Sequence, residues 1–348
     1  AVDRGAAALL VDRWLDLDVP QVRVPDVRAV AGVAAAAVHD HPTADLAVVG
    51  VTGTNGKTTT AYLVESAVAA GARGTGLIGT VETRIDGAAV PGVRTTPEGT
   101  DLQRLFARMR DRDVAVVAME ISSHGLDLHR IDGTRVAVAV FTNLSQDHLD
   151  FHGTMDAYAA AKARLFTPAI AERGIVDVED DWGRWMAEHA RVPVVTVGSH
   201  DTDVRRTVTR ADLDGTTVVL EGPADVLGGR DRVEVTTTLV GDFNGRNASD
   251  AFLAAVAAGT DADAALAGLA ACPGAPGRLD RVDAGQGFHV LVDYAHTPDA
   301  LRAVVDTLRP LADGRVLVVV GAGGDRDRGK RPLMGAAAAT ADVAVLTS

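Results

Sequence analysis

Apolar residues arrive in short runs separated by amphipathic stretches. Between positions 47 and about 197, runs at 47–51, 114–119, 136–141, 174–178 and 193–197 read as buried strands, and they alternate with helix-period segments at 57–70, 100–110 and 155–166. This rhythm predicts an α/β fold with a doubly wound, mostly parallel central sheet, whose ligands gather at the C-terminal ends of the strands. Residues 203–240 change to alternating Thr/Val stretches, Thr216–Leu220 and Val233–Val240, which predict antiparallel strands appended to the sheet. Helices are expected over Asn247–Ala258 and Ala262–Ala270. The run Cys272-Pro273-Gly274-Ala275-Pro276-Gly277 then breaks the pattern.

On the N-terminal side, strands near Ala7–Val11 and Gln21–Val24 precede an alanine-rich helix from Asp26 to His39, closed by His41-Pro42. On the C-terminal side, strands at 288–293 and 315–320 flank a helix at 298–309. The expected organisation is a partial N-terminal α/β domain (1–44), a central P-loop-type domain (45–272) and a partial Rossmann-like C-terminal domain (273–348). No internal repeat stands out. Both ends read as cut, since the chain opens on Ala1 and stops in the strand-like run 343–348.

The composition of the 348 residues narrows the class. A net charge of −13 argues against nucleic acid as a partner, and 47% hydrophobic content supports sizeable cores. The single cysteine, Cys272, excludes an internal disulfide framework and suits a reducing compartment. No apolar stretch approaches the ~20 residues of a membrane helix. A soluble, cytoplasmic enzyme acting on a small molecule, as a monomer, is the expectation.

Gly53-Thr54-Asn55-Gly56-Lys57-Thr58-Thr59-Thr60 follows the buried run 47–51. Glycines there let backbone N–H groups converge on a polyphosphate, the next helix points its N-terminus inward, Lys57 neutralises oxygen charge and Thr58 can hold Mg²⁺. The match to G-x4-G-K-[ST] is incomplete, because Val51 stands at the first glycine position. The expected ligand is ATP or GTP.

Other strand ends carry further candidates. Glu120 follows the run 114–119 and is placed for Mg²⁺, with Ser122-Ser123-His124 beside it. The segment 141–152 packs His148, His152, Asp147 and Asp150 into six residues; His148 is a metal candidate and His152 a weaker one, for which an ordinary structural histidine is the favoured reading. Tyr158, Lys162 and Phe166 share a helix face. A lysine there ordinarily snorkels to water, and the alternative is a buried amine with depressed pKa that reacts with CO₂. Arg94-Thr95-Thr96-Pro97 offers donors for an anionic or sugar ligand. Pro276–Arg281 and Asp293–Pro298 sit where a second domain could close over a nucleotide.

Taken together, Gly53–Thr60, Thr95-Thr96-Pro97, Glu120–Leu126, Thr142–Asp150, Ala161–Phe166, Phe243-Asn244 with Asn247, Pro276–Arg278, Asp293–Pro298 and Gly323–Pro332 resemble the Mur ligases, ATP-dependent amide-forming enzymes of bacterial peptidoglycan synthesis. The chain is most similar to the branch that extends UDP-N-acetylmuramoyl-dipeptide. The resemblance implies that Gly53, Thr54, Asn55, Gly56, Lys57, Thr58 and Thr59 bind ATP, with Asn244 and Asn247 at adenine, Arg278 at the phosphates and Asp293 at the ribose. It implies that Lys57, Glu120, His148 and Lys162 are catalytic. Thr58, Glu120, His148 and Lys162, the last as its carbamate, would be Mg²⁺ ligands, which replaces the snorkelling reading. Thr95, Thr96, Ser122, Leu128 and Arg130 would touch the UDP-sugar peptide and Arg326 the incoming diamino acid. Meso-diaminopimelate is expected over L-lysine from the alanine- and arginine-rich composition.

Departures from the pattern are Leu128 for a glutamine, Asp177 for an asparagine and Ala322 for a cysteine. Three alternatives remain open at this point: another amide ligase of the superfamily, such as cyanophycin synthetase or folylpolyglutamate synthase; an ATP-binding fragment that joins nothing; and a P-loop regulatory or motor NTPase.

Overall fold

The structure is a computed structural model that describes residues 2–90, 94–321 and 330–347. Two short strands, β1 (Leu9–Val11) and β2 (Gln21–Arg23), pair in parallel ahead of helix α1 (Val27–Val38), whose N-terminus Asp26 caps through the amides of Arg28 and Ala29.

The centre is an eleven-stranded sheet. Its strands are β3 (Ala47–Thr52), β4 (Gly74–Ile78), β5 (Thr83–Ile85), β6 (Ala88–Val90), β7 (Val114–Glu120), β8 (Val138–Phe141), β9 (Gly174–Asp177), β10 (Val194–Gly198), β11 (Val204–Asp212), β12 (Gly215–Glu221) and β13 (Arg232–Thr237). They run in the order β13-β12-β11-β10-β9-β8-β3-β7-β4-β5-β6. The stretch from β11 to β4 is parallel, and antiparallel pairs close both margins. Strand β3 lies between β7 and β8, so the turns after all three open on one edge.

Helices cover both faces: α2 (Lys57–Ala70), α3 (Gly99–Arg110), α4 (Ser123–Asp127), α5 (Leu149–His152), α6 (Met155–Ala163), α7 (Asp181–His189), α8 (Asp242–Ala257) and α9 (Ala262–Ala271). Alternation along the strands divides the core. Val49 and Val51 point into a cluster with Leu63, Phe252 and Leu269 from α2, α8 and α9; Val48 points into the opposite cluster with Phe106, Tyr158 and Met186. Cys272 and Ala275 still pack in the first cluster. Beyond them, β14 (Asp280–Arg281) pairs with β15 (Leu291–Val292), and α10 (Pro298–Leu308) and α11 (Lys330–Ala338) accompany the parallel pair β16 (Leu317–Gly321) and β17 (Val343–Thr347).

Several expectations are corrected. The strand expected at 288–293 forms only at Leu291–Val292. The helix expected from Asn247 starts at Asp242, and the one expected to Phe166 leaves α-geometry after Ala163, finishing as a 3-10 turn over Arg164–Phe166. Strands β4 to β6 and helices α4 and α7 were not anticipated; Gly74 and Gly76 obscure the apolar run of β4.

Asp177, at the end of β9, joins β9, β11 and α8. Arg206 donates to its Oδ2 at 2.9 Å, and Arg246 grips both oxygens through Nε and Nη2 at 3.0 and 2.9 Å. Asp250, one turn beyond Arg246, is 1% exposed, and neither carboxylate oxygen has a hydrogen-bond partner. Burial, reinforced by the Asp177 charge, holds its pKa well above the ordinary carboxyl range. The folded state therefore keeps a proton that the unfolded chain releases once pH passes the unfolded pKa of ~3.9. Stability is fully present below that value and is lost as pH rises. Asp250→Asn keeps the shape without the titration: thermal melts at pH 8 should show it above the unsubstituted protein by about 2–4 °C or more, the gap narrowing toward pH 5. A gap of the same size at both pH values would contradict this account.

Candidate active site

The turn between β3 and α2 takes its shape from glycine. Gly53 has φ +151° and packs against Thr142, while Gly56 has φ +85° and would set a Cβ 2.5 Å from Asn247 Oδ1. Gly56 is the N-cap of α2 and supplies no side-chain acceptor, so the first-turn amides after it are left facing the edge of the sheet where a polyphosphate would sit. The loop after β8 clasps this turn: Asn143 Oδ1 accepts from Asn55 N at 3.0 Å, Thr142 Oγ1 donates to Asn55 O at 2.6 Å, and Ser145 N donates to Thr54 Oγ1 at 2.9 Å. Thr59 is buried in the first turn of α2.

Two lysines meet at one carbonyl. Lys57 Nζ donates to Gly53 O and Thr54 O, both at 2.9 Å, and Lys162 Nζ donates to Gly53 O at 2.8 Å and to Thr52 Oγ1 at 3.5 Å. Lys162 is 1% exposed, with its amine 4.6 Å from the ring centre of Tyr158. The snorkelling reading is therefore wrong: the face shared by Tyr158 and Lys162 turns into the core, and the amine is spent on the phosphate turn. Burial, then the neighbouring Lys57 charge, depresses the Lys162 pKa well below that of an ordinary lysine, with Asp147 opposing. Burial also lowers Lys57, with Arg278 adding to the effect and Glu120 and Asp147 opposing it. The Arg278 guanidinium itself lies over the ring of Tyr294, 5.2 Å from its centre.

Glu120 ends β7 and is 1% exposed. Its Oε2 accepts from Thr58 Oγ1 at 3.0 Å and from Thr80 Oγ1 at 3.1 Å, and its Oε1 from Thr80 N at 2.7 Å. Thr80 was not singled out in the sequence; it follows β4, and the signal would have been the same position at a strand's C-terminal end. Among the described residues no three His, Cys, Asp or Glu side chains come together as metal ligands. The hard oxygens of Thr58 and Glu120 nevertheless suit Mg²⁺, which keeps waters and substrate phosphates in its shell and needs few protein ligands. His148 stands apart from these bonds. It adopts φ 52°, is exposed, and its ring lies 4.8 Å from that of His124.

The neighbouring loop gathers the expected sugar-peptide residues. Thr95 Oγ1 is 2.9 Å from Thr80 Oγ1, and Thr96 Oγ1 accepts from Ser122 N at 3.0 Å and contacts Ser122 Oγ at 3.2 Å. Arg130 donates to Thr96 O at 3.3 Å and pairs with Glu98 at 3.2 Å, while Leu128 caps α4 half-buried. His152, the weaker metal candidate, contacts Ser123 Oγ at 3.0 Å. Asn247 Nδ2 donates to Asn244 Oδ1 and Asn244 Nδ2 to Val240 O, a buried pair against Gly56. Asp293 accepts from Leu279 N and Ala295 N, fixing the loop that carries Arg278. Arg326, Ala322 and most of the Gly323–Pro332 motif lie outside the described residues.

The chain is similar to known proteins along most of its length. Residues 51–258 match the Mur ligase middle domain and residues 277–348 the Mur ligase, glutamate ligase domain. The chain belongs to the Mur ligase family. A Streptomyces avermitilis protein named UDP-N-acetylmuramoyl-L-alanyl-D-glutamate--2,6-diaminopimelate ligase is 48% identical over all of this chain and 69% of its own length; the Streptomyces coelicolor protein of that name is 49% identical with the same coverage. A solved structure of such a ligase superposes with TM-score 0.79 at 32% identity, covering all of this chain and 71% of that one. The Lactobacillus casei folylpolyglutamate synthase shares the fold, with TM-score 0.72 at 18% identity over 93% of this chain and 84% of its own. The Mur ligase resemblance read from the motifs is thus borne out, and with it the α/β fold.

For this Mur ligase, Gly56→Ala would push a methyl into Asn247 and strain the left-handed turn. Equilibrium titration with a non-hydrolysable ATP analogue, at a temperature where the variant is folded, should show affinity reduced about tenfold or more, at about 1.4 kcal/mol per tenfold, with the melting temperature lowered by the same strain. Unchanged affinity would contradict the role given to the turn.

Proposed function

We propose that this Mur ligase is an ATP-dependent enzyme that joins meso-diaminopimelate to the terminal carboxylate of UDP-N-acetylmuramoyl-L-alanyl-D-glutamate, in the cytoplasm and as a monomer. The observation that carries the reading is the convergence of Lys57, Lys162 and the α2 N-terminus at the Gly53 turn, with Glu120 hydrogen-bonded to Thr58 of the same helix. The choice of diaminopimelate over lysine is supported by the names of the Streptomyces relatives.

In the proposed reaction a carboxylate oxygen of the dipeptide attacks the γ-phosphorus of ATP and ADP leaves. The amine of the diamino acid then attacks the acyl carbon, and the tetrahedral adduct expels phosphate as the nitrogen loses its proton. Two anions must first approach each other, so the site's work is charge compensation and positioning. Lys57 is available for the phosphates through rotation away from Gly53 O and Thr54 O. The neutral amine of Lys162 can add to CO₂ and release a proton, and the resulting carbamate would carry a negative charge that attracts Lys57. When bound, Mg²⁺ would offset phosphate charge, held by Thr58, Glu120, His148 and the Lys162 carbamate. The Asn244–Asn247 pair would border adenine, Arg278 the phosphates and Asp293 the ribose. Thr95, Thr96, Ser122, Leu128 and Arg130 would meet the sugar peptide, and Arg326 the diamino acid.

Phosphate release with ATP, Mg²⁺ and the UDP-dipeptide tests this directly. Release should require meso-diaminopimelate, remain at background with L-lysine, and vanish in Lys162→Ala. Release with L-lysine alone would reverse the specificity, and silence with both amino acids would sink the proposed reaction for this chain.

A further inference from the structure

Thr80 lies between two parts of the site that the proposed reaction must bring together. On one side it holds Glu120 twice, through its amide to Oε1 at 2.7 Å and its hydroxyl to Oε2 at 3.1 Å. On the other its hydroxyl is 2.9 Å from Thr95 Oγ1. With the 3.0 Å bond from Thr58, these contacts form an unbroken chain, Thr58–Glu120–Thr80–Thr95, from the phosphate turn to the Arg94–Glu98 loop. That loop and Arg130 present two guanidinium groups, both now spent on Glu98, at 2.5 Å from Arg94 and 3.2 Å from Arg130. They suit an anionic ligand.

A hydroxyl carries one proton and two acceptor lone pairs. While Thr80 donates to Glu120, it must accept from Thr95, so the Thr95 proton is turned inward. An anionic ligand that accepts the hydrogen bond of the Thr95 hydroxyl turns that O–H outward and leaves Thr95 Oγ1 as an acceptor toward Thr80. The Thr80 proton can then rotate to Thr95, and Glu120 Oε2 loses one of its two hydroxyl donors. That oxygen is thereby freed to face a cation carried in by the nucleotide.

We propose that Thr80 is a positioning residue that couples occupancy of the Thr95 loop by the anionic sugar peptide to capture of the magnesium–nucleotide by Glu120. The inference rests on the reaction proposed above. Coupling between two ligands is reciprocal, so each should tighten the other.

The test is calorimetric binding of a non-hydrolysable ATP analogue with Mg²⁺, with and without the UDP-dipeptide, in the unsubstituted protein, Thr80→Val and Thr80→Ser. Thr80 is exposed, and valine keeps its backbone amide and shape, so both variants should fold. In the unsubstituted protein the dipeptide should tighten the analogue about fivefold or more. The ratio should fall to near one in Thr80→Val and return in Thr80→Ser. A Thr80→Val ratio equal to that of the unsubstituted protein would overturn the inference and leave the reaction standing, as would an unsubstituted ratio of one with both ligands bound. Failure of the unsubstituted protein to bind the dipeptide at all would overturn both.

Discussion

Two lysines donate to a single backbone oxygen, Gly53 O, and this constraint organises the site around it. A carbonyl offers two lone pairs, so it can satisfy both amines geometrically, but it brings no net charge against two ammonium groups. Burial and mutual repulsion then act together on Lys162 and favour its neutral form. Glu120 and Asp147 both oppose the shift on Lys57, but only Asp147, exposed on the loop after β8, opposes it on Lys162. A polyphosphate and a carbamate are anions of the kind that would complete the site.

The fold explains why the amines must meet. Strand β3 sits between β7 and β8, so the turns after these strands share one edge of the sheet. Lys57 enters from α2 on one face and Lys162 from α6 on the other, each embedded with a separate half of the core. Neither helix can retreat without opening its own packed layer. Asn247 holds the Gly56 side of the turn from α8, and the Asp177 clamp on Arg246 fixes that helix one residue earlier.

Much of this was legible in the sequence, because buried parallel strands announce themselves as unbroken apolar runs and chemistry-bearing residues follow them directly. Gly53–Thr60 and Glu120 were found this way. Thr80 was not, since Gly74 and Gly76 interrupt the run that would have marked β4. Lys162 was misjudged from residue type alone, because helical periodicity places a side chain on a face but does not say how deeply that face is covered. The clamp around Asp177 could not be read either: Arg206 and Arg246 are 29 and 69 residues away, and only the sheet order brings them together. The strand expected at 288–293 failed for the converse reason, an apolar run with only a two-residue partner at Asp280–Arg281.

We propose that the buried Lys162 amine is converted into an anion facing Lys57. Carbon NMR of the protein equilibrated with ¹³C-labelled bicarbonate tests it most directly. The account predicts a carbamate resonance that is absent from Lys162→Ala and from protein kept free of CO₂. A catalytically active protein whose spectrum matches that of Lys162→Ala would contradict it.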